Sequence, residues 1–137
     1  MLAFVIAHWY LFAALVIVGG LLAAGSALDA GASGERVTSQ EAVQILNRKA
    51  AVIVDVREPK EFTSGHIARA INIPLGQVAT RSQELKKYKE KPIIVCCASG
   101  ARSARAAAML RKEGFTDVRN LTGGLSAWRG ANLPTVT

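Results

Sequence analysis

Between Met1 and Leu28 the chain has no Asp, Glu, Lys or Arg, and all 17 basic and 10 acidic residues follow. Cysteine is scarce too: there are two, Cys96 and Cys97, and they are neighbours. Adjacent cysteines do not make a disulfide framework, and a bridge between them would be strained. A reducing compartment would keep both free. The two histidines, His8 and His66, stand far apart. No cluster of His, Cys and carboxylates has zinc spacing, and no Gly-rich loop of the Walker type is present. The sequence therefore implies neither a metal nor a cofactor. Aromatics make up 6% of the chain and its net charge is +7. With no recognised nucleic-acid motif, that charge does not point to nucleic acid. The densest basic cluster, Lys86, Lys87, Lys89 and Lys91, reads as a solvated helix end, with anionic lipid as the other surface it suits.

What fills the uncharged N-terminus is apolar. Leu2–Ala24 is long enough to span a bilayer as a helix. Trp9 and Tyr10 suit a headgroup boundary, and His8 beside them reads as interfacial rather than as a ligand. The expectation is a transmembrane helix over residues 1–27, a flexible Gly-, Ala- and Ser-rich linker over 28–35, and one domain over 36–137. A cleaved secretory signal competes, because Gly25-Ser26-Ala27 offers small residues for cleavage. It lacks a basic start, and the apolar run exceeds a signal core. No basic residue precedes the span, whereas Arg36, Arg48 and Lys49 follow it. The expected location is the inner membrane, single-pass, with the domain facing the cytoplasm.

The rest alternates between helical and extended patterns. Thr38 and Glu41 form a capping box ahead of a helix carrying Ala42, Ile45 and Leu46 on one stripe. Residues 51–56 read as a strand buried on both faces, as in a parallel sheet. Pro59 suits the first turn of a short helix through Phe62. Residues 70–73 form a short strand stopped by Pro74, and 75–89 are mostly helical. Residues 92–96 are a second fully buried strand, followed by a helix over 103–113 that Gly114 ends. Residues 118–121 are a last strand, and Gly123-Gly124 turn the chain into a helix containing Trp128. This order predicts an α/β domain with helices on both faces of an open, mainly parallel sheet.

Open α/β sheets bind ligands beyond the carboxyl ends of their strands. Cys97 lies there, just before a helix whose N-terminus favours an anion. A thiolate is such an anion, so its pKa should fall. Ser99 and Gly100 let the loop curl so that backbone N–H groups point at one sulfur. Arg102 can hold an anionic substrate in fork geometry. Cys96 should point to the opposite sheet face and reads as inert. Cysteine–histidine protease chemistry is poorly supported, because His66, the only His after the apolar stretch, is distant in sequence.

Three motifs resemble the rhodanese family, over most of Arg36–Pro134. The first is Asp55-Val-Arg57, continuing through Glu61-Phe62, Gly65-His66-Ile67 and Ala70-Ile71-Asn72-Ile73-Pro74. The second is Cys97-Ala-Ser-Gly-Ala-Arg102-Ser103. The third is Gly123-Gly124, Ala127-Trp128 and Pro134. The resemblance implies a rhodanese-like fold and a sulfurtransferase. Cys97 would take sulfur from thiosulfate or a persulfide, carry it as a persulfide, and pass it to a thiol or cyanide. Ala98, Ser99, Gly100, Ala101, Arg102 and Ser103 would bind substrate, while Asp55, Arg57, Gly65, His66 and Trp128 would be structural. Two departures stand out. The family often has Gly at Arg69 and a basic residue at Ala98, and losing that cation should weaken attraction for thiosulfate. Phosphatase or arsenate reductase chemistry is the enzymatic rival. Members of the fold that hydrolyse phosphoesters separate Cys and Arg by five residues, whereas four separate Cys97 from Arg102. The other rival is a membrane-tethered interaction module with little catalysis.

Overall fold

A computed structural model describes every residue except Gly34, and the side chains of all but residues 25–34. The chain forms two compact units, Met1–Gly31 and Ala32–Thr137.

In the first unit the apolar stretch forms α1 (Leu2–Ala7) and α2 (Trp9–Ser33). They are separated at His8, where φ is −121° and ψ 23° and the ring Nδ1 lies 2.9 Å from the Phe4 carbonyl. Among the described residues no helix is long and apolar enough to cross a membrane. This corrects the transmembrane helix expected over residues 1–27. The break at His8 shortens the run. α2 itself begins only at Trp9. The helix continues through Ser33, across most of the linker expected over 28–35. Gly34, within that expected linker, lies outside the described residues.

The second unit is built on a five-stranded sheet in the order β1-β5-β4-β2-β3, with every pairing parallel. Its strands are β1 (Glu35–Val37), β2 (Val52–Asp55), β3 (Ile71–Asn72), β4 (Ile93–Cys96) and β5 (Val118–Leu121). β2 and β4 are buried at every position, as continuous β-branched runs require in a sheet covered on both faces. One layer packs Val54, Val95 and Cys97 with Ala106, Ala107 and Leu110 of α6 (Ala101–Lys112). The other packs Ile53, Ile94 and Cys96 with Ala42 of α3 (Ser39–Arg48), and with Leu125 and Trp128 of α7 (Gly124–Gly130). The expected α/β architecture is present, with all five strands parallel rather than most.

The Thr38 box closes as expected. The Glu41 N–H donates to Thr38 Oγ1 and the Thr38 N–H to Glu41 Oε2, each at 3.2 Å. Pro59 opens α4 (Pro59–Thr63). The segment expected to be helical over 75–89 is three short pieces: 3₁₀ turns at Leu75–Gln77 and Ser82–Tyr88 around α5 (Val78–Arg81). β1 was not expected. It is a three-residue edge strand with only Val37 buried.

Parallel pairing gathers the motifs. Asp55 ends β2 beside Cys96 at the end of β4, and Leu121 ends the neighbouring β5 just before Gly123-Gly124. The three motifs leave the sheet at one edge.

Candidate functional site

Cys97 follows β4 directly, and α6 begins at Ala101, two residues earlier than its sequence pattern indicated. Ala98 and Ser99 are the bridge to Gly100, the N-cap, whose φ of +105° is left-handed backbone that glycine accepts without strain. Ala101, Arg102 and Ser103 are the first turn of α6. The helix N-terminus and its unpaired N–H groups therefore lie against the sulfur.

Cys97 is 1% exposed. The Gly100 N–H donates to its Sγ at 2.9 Å, and the Ser103 hydroxyl lies 3.4 Å away. Burial pushes the Cys97 thiol up. Hydrogen bonds from the Ser103 side chain and from the N–H groups of Ser103, Gly100 and Ser99 outweigh it, so the pKa falls below its ordinary 9.0. Cys96 differs as its strand position requires. It is fully buried on the other face, and burial together with the Asp55 carboxylate pushes its thiol up. Both cysteines are free.

Ser103 is the centre of a buried network that local sequence reading does not reveal. Its hydroxyl lies 2.5 Å from Asn120 Oδ1 and 3.1 Å from the Gly100 carbonyl, to which Asn120 Nδ2 also donates at 3.1 Å. Asn120 is on β5, the neighbouring strand, and is 4% exposed. β5 reads Val118-Arg119-Asn120-Leu121, and nothing in that pattern singles out Asn120.

α7 holds the loop from the other side. The Leu125 N–H donates to the Cys97 carbonyl at 2.8 Å and the Ser126 N–H to Ala98 at 3.1 Å. These bonds need close approach at Gly124, whose φ is +57°. A Cβ there would collide with the Cys97 carbonyl oxygen and lie 2.8 Å from the Ala98 carbonyl carbon.

Arg102 does not stand free over the sulfur. Its guanidinium makes a bidentate pair with Glu61 of α4, Nη1 to Oε1 at 2.7 Å and Nη2 to Oε2 at 3.0 Å. Chiefly through that bond, Arg102 holds the Glu61 carboxyl down to about 2.

Asp55, Arg57, Gly65, His66 and Trp128, expected to be structural, each make bonds away from the Cys97 sulfur. Arg57 donates to both oxygens of Asp55 and to the Gly65 carbonyl, with both side chains buried. Asn72 Nδ2 ties the carbonyls of Asp55 and Arg57 together. The His66 ring stacks on Phe62 at 3.7 Å between centroids, with Nδ1 2.8 Å from the Phe62 carbonyl. Trp128 donates to the Pro134 carbonyl at 2.9 Å. Arg69 sits at φ +66°, a left-handed position that explains a glycine preference there. Among the described residues, no three His, Cys, Asp or Glu side chains group as metal ligands.

The chain has relatives among known proteins. The rhodanese-like domain pattern matches residues 38–131. The chain belongs to the rhodanese-like domain family. It is 48% identical over 80 residues to the uncharacterised protein YqhL of Bacillus subtilis, covering 58% of this chain and 62% of that one. It is 35% identical over 105 residues to the thiosulfate sulfurtransferase GlpE of Pseudomonas putida, covering 75% of this chain and 91% of that one. The crystal structure of a rhodanese-related protein from Thermoplasma volcanium superposes with a TM-score of 0.68 at 31% identity, covering 75% and 98%. The protein is thus a rhodanese-fold, sulfurtransferase-like chain whose relatives include a thiosulfate sulfurtransferase.

Proposed function

We propose that the protein is a sulfurtransferase that carries sulfane sulfur as a persulfide on Cys97. The observation that carries this reading is the cradle itself. The Gly100 N–H at 2.9 Å and the Ser103 hydroxyl at 3.4 Å converge on a single sulfur. Fixed dipoles of this kind stabilise a thiolate and a persulfide anion alike, so both half-reactions keep their electrostatic support. With thiosulfate as donor, the Cys97 thiolate attacks the outer sulfur, a new S–S bond forms, and sulfite leaves with the electron pair of the broken bond. An acceptor thiolate or cyanide then attacks that outer sulfur and releases the Cys97 thiolate. The second sulfur extends the reach of a buried Sγ by about 2 Å.

Phosphoryl transfer is disfavoured by the same geometry. A tetrahedral phosphoryl group needs an arginine fork, and both arms of Arg102 are on Glu61. The test is intact-protein mass spectrometry after exposure to thiosulfate or cysteine persulfide. The expected result is one added sulfur, lost in Cys97→Ser. No added sulfur with either donor sinks the reading and favours the docking module.

Location is a second proposal. The domain works in a reducing compartment, the cytoplasm, where both thiols stay free. The N-terminal unit associates with the inner membrane. Leu11, Leu15, Val16, Ile17, Leu21 and Leu22 of α2 are all exposed, and a helix apolar on every side needs an apolar environment. Recovery of the full-length protein wholly in the soluble fraction of lysed cells overturns that association.

A further inference from the structure

The loop Cys97–Ser103 contains one charged residue, Arg102, and both arms of its guanidinium are taken by Glu61. We infer that Glu61 is a specificity-determining residue. By occupying Arg102 it sets the site against dianionic donors such as thiosulfate and in favour of a persulfide with at most one negative charge on its sulfur. This rests on the sulfur-transfer reading and names the donor class for the same site.

What the site offers an incoming anion is a set of backbone N–H groups and one hydroxyl. The Gly100 N–H and Ser103 hydroxyl surround one atom, Cys97 Sγ. Such a cradle matches a single charge on a single sulfur. Thiosulfate carries two charges, and the cost of moving an ion into a poorly solvated site grows with the square of its charge. A free cation beside the nucleophile would offset that cost. Position 98, directly after the nucleophile, is alanine. Position 102 is an arginine whose charge is cancelled by a carboxylate at 2.7 and 3.0 Å. To use Arg102, thiosulfate must displace Glu61, which is fixed from a second side. The Glu58 N–H donates to Glu61 Oε1 at 3.1 Å, so the carboxylate is held by its own helix as well as by Arg102. Glu61 also stays ionised at any cellular pH, since its carboxyl is held down to about 2.

A persulfide donor avoids this barrier. The Cys97 thiolate attacks the terminal sulfur of R–S–SH, the Cys97 Sγ–S bond forms and the donor S–S bond breaks. R–S⁻ leaves with the electron pair and takes a proton from solvent. No external oxidant or reductant is needed.

The experiment compares steady-state sulfur transfer to cyanide by the full-length protein, with thiosulfate and with cysteine persulfide as donors. Glu61→Gln keeps an acceptor for the Glu58 N–H and releases the Arg102 charge. It is expected to lower the ratio of the thiosulfate KM to the cysteine persulfide KM by about five-fold, as fits one partly exposed unit charge. The double variant Glu61→Gln/Arg102→Met should lose that gain, because the freed guanidinium carries it. An unchanged ratio in Glu61→Gln overturns the inference while leaving sulfur transfer standing. So does a gain that survives in the double variant, and circular dichroism of each variant keeps a folding defect from being read as either. Failure of the wild-type protein to load Cys97 from either donor overturns the sulfur-transfer reading and this inference with it.

Discussion

Ser103 has one hydroxyl proton and three acceptors within reach: Asn120 Oδ1 at 2.5 Å, the Gly100 carbonyl at 3.1 Å and Cys97 Sγ at 3.4 Å. In the thiol state the shortest contact offers the Ser103 proton to Asn120 Oδ1, which leaves Ser103 Oγ able to accept from the Cys97 S–H. When Cys97 ionises, a negative sulfur becomes the best acceptor, and the same proton serves it by a rotation about one bond. Ser103 thus supports the thiolate without a histidine base. The charged neighbour coupled to Cys97 is Arg102, itself paired with Glu61. This sets the pH behaviour. Alkylation by iodoacetamide should rise with pH to a midpoint below the ordinary 9.0, and at neutral pH label Cys97 while sparing Cys96. Ser103→Ala removes a hydrogen bond to a charged atom, so it should leave about ten-fold less thiolate at a fixed pH below the midpoint. Its midpoint must therefore move up. An unmoved midpoint, read by mass spectrometry of Cys97 labelling across pH 6–10, would remove Ser103 from this account.

At the scale of elements, the site is a strand end, a short loop and two helix N-termini clamped together. The clamp depends on Gly124, where α7 starts against the Cys97 and Ala98 carbonyls. Gly124→Ala adds a methyl group to that contact and forces left-handed backbone on a residue with a Cβ. These penalties together should destabilise the domain by about 2–4 kcal/mol. Thermal unfolding would show the loss, and the alkylation rate of Cys97 should change with it, because the same bonds shape the loop. Wild-type melting in Gly124→Ala would show that α7 does not hold the loop. Much of this arrangement was legible in the sequence. The β-branched runs at 51–56 and 92–96 read as buried parallel strands, and the opposed faces of Cys96 and Cys97 follow from strand alternation alone. The Thr38–Glu41 box and Pro59 marked two helix starts because capping is a local affair. What stayed hidden was long-range or weakly patterned. Glu61 meets Arg102 across 41 positions and Asn120 meets Ser103 across 17, distances at which no periodicity links partners. β1 carries only one buried residue in three, too little pattern to announce a strand. Arg102, expected on the loop as a substrate fork, lies in the first turn of α6 and is paired with a carboxylate that the sequence pattern did not show.

On the scale of the whole molecule, chemistry and apolar surface belong to different units. The residues that bond to Cys97 and Ala98, namely Gly100, Ser103, Leu125 and Ser126, fall within Ala32–Thr137, whereas Met1–Gly31 contains no Lys, Arg or Glu and only one Asp. The first unit's apolar length invited a membrane-span reading from composition alone. The structure replaces it with two helices divided at His8, which composition does not show. The second unit has what an independent domain requires. Two buried layers cover both faces of its sheet, and its own C-terminal segment closes back through the His66–Val136 and Trp128–Pro134 bonds. At about 100 residues it is also of ordinary domain size. A chain beginning at Ala32 should therefore fold cooperatively. Its sulfur transfer to cyanide should stay within about two-fold of the full-length rate, since the residues that bond to Cys97 are all retained. It should also leave any membrane fraction that holds the full-length protein, because the exposed apolar side chains of α2 go with the first unit. Calorimetry, the cyanide assay and fractionation of the two chains side by side check these outcomes. A truncated chain that folds yet transfers no sulfur would mean that the N-terminal helices contribute to the site, overturning the separation of roles.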